Sequence, residues 1–221
     1  MMERSFLPCV QRGLLWSREK SRAMHNRRSV FRDNPDPNDP EFFEKIMGVI
    51  HALAEDGVHL ELVSDEASQM THLHQMVWQS VDEELQTELS IVRDLHDEVC
   101  YATIKSKQSW ISKRARELFN TTIDCYTINE LIELCSRRFF DARLLICLGL
   151  LGRKPDAEMI RTISAALDHD LPRARYCAAR AAAITQWPAF VPDLEMMLKM
   201  ETDPSAREMA EHSLEVCEKK V

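Results

Sequence analysis

The sequence predicts an all-α protein, a short α-solenoid preceded by an N-terminal helical subdomain. Three observations predict it. The dipeptide Ala-Arg returns at intervals of 32 residues, as Ala142-Arg143, Ala174-Arg175 and Ala206-Arg207. A period of roughly 30 to 45 residues belongs to stacked helical pairs. Apolar residues upstream recur at helical spacing, and only five of the 221 residues are glycine, fewer than tight hairpins favour.

Residues 1–40 form a disordered basic tail and Pro-rich linker in this reading. Eight Lys/Arg stand against Glu3 and Glu19 in residues 1–32. The run Asn34-Pro35-Asp36-Pro37-Asn38-Asp39-Pro40 cannot carry a helix. The placement is cytoplasmic; the alternative is organellar, with residues 1–32 as an Arg-rich, acid-poor transit peptide. Residues 1–35 lack apolar periodicity, so they are expected to be dispensable for folding.

Residues 41–104 are expected to be an acidic helical subdomain. Asp39 is a good N-cap, Pro40 a good first helical residue and Gly57 a good stop. Between them Phe43, Ile46, Met47, Ile50 and Leu53 make an apolar stripe. Val58 to Leu62 alternates with period two and is taken as an extended connection, since no second strand is evident to pair with it. A second helix is expected from Ser64 or Asp65 through Met70, Leu73, Val77 and Val81. A third, long helix is expected from Asp82 to Thr103, where Leu85, Leu89, Val92, Leu95 and Val99 are spaced 4, 3, 3 and 4, a bundle-like seam.

Residues 105–221 are expected to be the repeat array. Ala115-Arg116 with Leu118 and Phe119 suggests a degenerate first unit. Two full units and a final half follow from 141. Each Ala-Arg helix is expected to open a unit that the next helix closes, Ile160, Ile163 and Leu167 answering to Val191, Leu194 and Leu198. Gly149, Ala181 and Ser213 share one register, where helices of adjacent units should approach closely. Leu171-Pro172 and Asp203-Pro204 mark turns, each Pro opening an Ala-Arg helix.

Asp-Pro-x-Ala-Arg-x-x-Ala from Asp203 to Ala210, with Ala174-Arg175-Tyr176-Cys177-Ala178-Ala179, resembles the HEAT-like (PBS-lyase HEAT-type) repeat family, over about residues 105–217. The resemblance implies structural roles for Arg143, Arg175 and Arg207, bonding the preceding turn or a neighbouring acid. It does not carry over the chemistry of di-iron hydroxylases of this type. Their His-Glu pairs correspond here to Leu144-Leu145, Tyr176-Cys177 and Glu208-Met209. DNA glycosylases of this type need a cationic face, whereas residues 141–221 hold eleven Lys/Arg against thirteen acids.

The remaining chemistry is equally bounded. His72, His74 and His96 offer no convergent metal set, and Asp168-His169-Asp170 falls at a turn. No Gly-rich phosphate loop or Cys-x-x-Cys is present, and no cofactor or metal is expected. Seven scattered cysteines fit buried free thiols. No apolar run approaches the roughly 18 residues that span a membrane. Residues 41–100 hold fourteen acids against Lys45 and Arg93. Glu83, Glu84, Glu88, Asp94, Asp97 and Glu98 are therefore candidate partner-binding residues, suited to a basic protein unless Lys105, Lys107 and Lys113 fold back on them. A merely solvated helix face is the alternative. The function expected is non-enzymatic protein binding, as an adaptor, assembly factor or regulator. An immunity- or antitoxin-like inhibitor of a basic enzyme is one alternative, and a HEAT-like enzyme such as a chromophore lyase is another.

Overall fold

The computed structural model describes residues 24–68, 70–137 and 140–220. Among them lie five strands and eight α-helices: β1 (His25–Val30), α1 (Pro40–Glu55), β2 (Leu60–Ser68), β3 (Leu73–Ser80), β4 (Glu88–Asp94), β5 (Val99–Ser106), α2 (Ser109–Thr122), α3 (Ile128–Cys135), α4 (Arg143–Leu151), α5 (Ala157–Leu167), α6 (Pro172–Thr185), α7 (Val191–Met200) and α8 (Pro204–Glu218). The protein is thus mixed α and β, which corrects the all-α expectation. The chain divides into two compact units. The first holds Asp33–His96 and Cys100–Asp124 with the start of β1; the second holds Ser29–Arg32, Asp97–Val99 and the chain from Cys125 onward.

The first unit is built on a sheet of order β1-β5-β4-β3-β2. β2 and β4 both run antiparallel to β3. The two helices expected over 64–103 are these strands. Their β-branched and aromatic content suits a pleated surface. Trp78 stands opposite Leu89 and Met76 opposite Ile91, so these four share one face, and all are buried. Helix α1 begins where Asp39 accepts the backbone N–H groups of Glu41 and Phe42, both at 3.0 Å. Its buried side is Phe42, Ile46, Val49, Ile50 and Leu53. It packs on α2, whose Ile111, Ala115 and Phe119 are buried. Residues 105–140 therefore do not fold as one repeat hairpin.

In the second unit the hairpins are α3/α4, α5/α6 and α7/α8. Each Ala-Arg helix is the second of its hairpin, not the first. The expected pairing is shifted by one helix, because a 32-residue period gives the repeat length but not where the unit starts. Helices α4, α6 and α8 also pack side by side, as do α3, α5 and α7 more sparsely. The inner row is close because its contact residues are small. A Cβ on Gly149 would lie 2.9 Å from Ala181 Cα and 3.0 Å from its Cβ. The Ser213 hydroxyl lies 2.7 Å from Ala179 O on α6 and 2.6 Å from Met209 O on its own helix. Leu144 to Leu151 are all buried.

The expected tail divides. Residues 1–23 lie outside the described residues, whereas 25–30 form β1. Val30 and Phe31 are buried, and Val30 O accepts the Tyr126 N–H at 2.9 Å. Ser29–Arg32 lie in the second unit, where Phe31 bridges to Cys125, so these residues contribute to the packing there.

Two glycine substitutions test the close row. Gly149→Ala forces its Cβ into Ala181 and is expected to cost about 1–3 kcal/mol. Gly48→Ala, mid-helix in α1 with nothing within 4 Å of its Cβ, is expected to stabilise by about 0.5–1 kcal/mol. Thermal melts of the two variants should shift in opposite directions.

Candidate functional site

The repeat arginines tie turns together. Arg175, near the start of α6, donates through Nη1 to His169 O at 2.7 Å and Asp170 O at 3.0 Å. Its Nε and Nη2 donate to the two Glu201 carboxylate oxygens at 2.6 and 2.8 Å. One guanidinium therefore joins the α5–α6 turn to the α7–α8 turn. Glu201 also accepts from Thr202 N at 2.9 Å and Asp203 N at 2.8 Å. Arg175, with these backbone donors, holds the Glu201 carboxyl at about 2, well below its ordinary 4.5. Arg207 donates to Leu198 O at 3.1 Å and pairs with Glu211 at 3.2 Å. Arg143 pairs with Asp141, two residues upstream. The donors of all three meet turn carbonyls or neighbouring acids.

A second buried pair also centres on α6. Arg180 pairs with Asp97, whose side chain is fully buried. Tyr176, one turn before Arg180, has its hydroxyl pushed up to about 12 by burial and then by Asp97, so it stays protonated. The exposed Arg173 covers the Tyr176 ring at 5.3 Å. Burial likewise pushes the Cys100, Cys135, Cys147 and Cys177 thiols up to about 12. As thiols rather than thiolates, these residues pack as small hydrophobes.

The six candidate acids do not share one helix face. Glu83 and Glu84 are exposed in the β3–β4 loop, lining a shallow hollow with Gln86, Lys107 and Gln108. Glu88 lies on β4 and pairs with Lys105 at 3.0 Å. Asp94 is buried and its Oδ1 accepts the His96 N–H at 3.0 Å. Asp97 is committed to Arg180, and Glu98 is exposed in the β4–β5 turn with φ 55°. Of the three lysines whose folding back the sequence left open, Lys105 reaches Glu88, and Lys113 pairs with Glu117 at 3.8 Å on its own helix.

Other residues were not singled out by the sequence. Glu201 stands before a Thr-Asp-Pro turn with no signal of burial. Leu171, Met196 and Met200 are large apolar side chains that remain exposed. The two methionines stand four apart on α7, off the buried positions Leu194 and Met197. That offset was visible in the spacing, since Val191, Leu194 and Leu198 already filled one stripe.

Residues 128–215 match the family model of HEAT repeats, which spans α3 to α8. The match covers this segment alone, and the similarity to HEAT repeats is confined to it. No curated protein and no solved structure matches the chain. Among the described residues no helix is long and apolar enough to cross a membrane.

Glu201 yields a pH prediction. Its folded pKa is depressed from 4.5 to about 2. Its stabilisation is therefore present above about 4.5 and is lost as pH falls towards about 2. The magnitude is on the order of 3 kcal/mol. Glu201→Gln should lower neutral-pH stability by a comparable amount, since Arg175 loses its carboxylate. It should also flatten the fall in stability across that acidic window, read by denaturant unfolding at several pH values.

Proposed function

We propose that this protein is a non-enzymatic adaptor, assembly factor or regulator, binding a protein partner through its HEAT-repeat surface. The observation that carries this reading is the exposure of large apolar residues at and beside the two turns that Arg175 joins. Leu171 follows Asp170, whose carbonyl Arg175 holds, and Met200 precedes Glu201, whose carboxylate Arg175 holds. Leu171 is 61% exposed, Met196 59% and Met200 77%. Large apolar side chains exposed to water favour association that buries them. Methionine adapts its shape to an incoming surface at low cost. The bidentate Arg175–Glu201 pair holds the two turns in fixed register, which fixes the backbone that carries Leu171 and Met200.

The repeat arginines support the same reading, because their donors are used to position turns. Ser213 and the buried thiols are likewise spent on packing between α6 and α8 or within the core. Which of the three roles the protein takes depends on the partner's identity.

The test is affinity capture by the full chain, with partners identified by mass spectrometry and their contacts mapped by cross-linking. The same capture is then run with Met196→Glu and Met200→Glu combined. Both side chains are exposed, so the melting temperature should hold within about 0.5 kcal/mol of stability. Capture of the cross-linked partner should fall at least tenfold. Undiminished capture by the folded variant would remove this surface from the proposal.

A further inference from the structure

The first unit carries a surface of different chemistry, at the edge of its sheet. β2 is a terminal strand in the order β1-β5-β4-β3-β2 and pairs with β3 alone. Among the described residues no strand lies on its outer side. A terminal strand leaves alternate N–H and C=O groups directed outward, a template for one more strand. At nine residues β2 is about 30 Å long, and from Leu60 to Ser68 no residue is buried.

Its side chains are sorted by a bulge. The pairing slips between Leu62 and Ser64, leaving Val63 as the extra residue. Without that insertion Glu61 and Glu66, an odd number apart, would point to opposite faces. With it, Glu61 stands opposite Gln79 and Glu66 opposite Gln75, and these two β3 residues share a face. Leu62 stands opposite Trp78 and Asp65 opposite Met76, on the other face. Leu62 is 48% exposed and Val63 54%. The edge thus offers an acidic row of Glu61 and Glu66 on one face, and on the other Leu62 with Asp65, which is hydrogen-bonded to His74.

Charge decides the occupant. The strand holds Glu61, Asp65 and Glu66 and no Lys or Arg. A second copy of β2 would bring three more acids and no cation to neutralise them, and like charges across strands repel. A strand carrying cations at alternate positions would meet the acidic row, with its intervening residues beside Leu62. We propose that the outer edge of β2 docks an extended segment of another protein in which Lys or Arg alternates with apolar residues. The segment adds to the sheet as a sixth strand. This proposal rests on residues other than those of the HEAT-repeat surface and stands or falls independently of it.

The probe is a short, end-blocked peptide alternating Lys with Val or Thr, and its control carries Glu in place of Lys. Both are titrated against the full chain, with amide exchange followed residue by residue by NMR. The basic peptide should bind and slow exchange at the outward amides of 60–68, while the acidic one should not. Glu61→Lys with Glu66→Lys should weaken the basic peptide about tenfold and make the acidic peptide the tighter ligand. The proposal is overturned by equal affinity in wild type and variant, or by slowing located elsewhere. It is also overturned if the outward amides of β2 are already protected in the free chain, since this chain or a second copy then covers the edge. Both glutamates are exposed, and an unchanged melt confirms that the variant is folded.

Discussion

The repeat unit rests on how closely α6 approaches its neighbours on either side. Gly149 meets Ala181 with no room for a side chain, and Ser213 and Cys217 reach the carbonyls of Ala179 and Ala182. Backbones this close are possible only with residues of no more than two heavy side-chain atoms. They also leave helix carbonyls near dry neighbours, where a hydroxyl or thiol supplies a polar contact that a methyl cannot. Away from these contacts the buried residues are larger, such as Leu131, Met159, Ile163 and Leu194 on α3, α5 and α7. The 32-residue recurrence of small residues is therefore a record of one contact made twice.

Helix α6 also holds the two buried ion pairs that position other segments. Arg175 and Arg180 are five residues apart, roughly 140° around the helix, so they reach in different directions. Arg175 engages the α7–α8 turn through Glu201, and Arg180 engages Asp97 in the short segment Asp97–Val99 that lies in this unit. A buried ion pair adds little net stability over a well-packed apolar pair, but losing one partner strands the other charge at several kcal/mol. Such pairs therefore penalise wrong placements more than they reward the right one. That fits their position at turns, where apolar packing alone specifies little.

The repeat half was legible because its signals are local and periodic. Asp156 and Asp203 cap the helices they precede, and Pro172 and Pro204 open theirs. The pairing phase was not legible, since a repeat written as helix–helix reads identically from either starting point. The sheet was missed for a definite reason. Leu85, Leu89, Val92, Leu95 and Val99 match a helical seam in number, yet they fall on a loop, a strand, a turn and the next strand. Tight hairpins usually announce themselves by Asn-Gly or Asp-Gly. Here the left-handed positions are His72, Gln86 and Glu98, none of them a glycine. A low glycine count was thus read as evidence against hairpins in a chain whose hairpins avoid glycine. The better signal was Val99-Cys100-Tyr101-Ala102-Thr103-Ile104, rich in strand-forming side chains, together with the short run Leu89 to Val92, too brief for a helix.

Charge counted along the chain and charge presented at the surface also differ, and the difference governs what the first unit can bind. The acids of 41–100 draw partners from beyond that stretch: Asp56 takes Arg114, Glu88 takes Lys105 and Asp97 takes Arg180. In the other direction Arg93, one of its two bases, is used by Asp36. The sequence block therefore overstates the field around the expected six-residue interface, where Glu88, Asp94 and Asp97 are paired or buried. It understates the edge of β2, where the bulge at Val63 gathers Glu61 and Glu66 onto one face. Exposed charges are screened within about 8 Å at physiological ionic strength. What attracts a partner is accordingly the local arrangement left unneutralised after folding, and here that arrangement runs along an open strand.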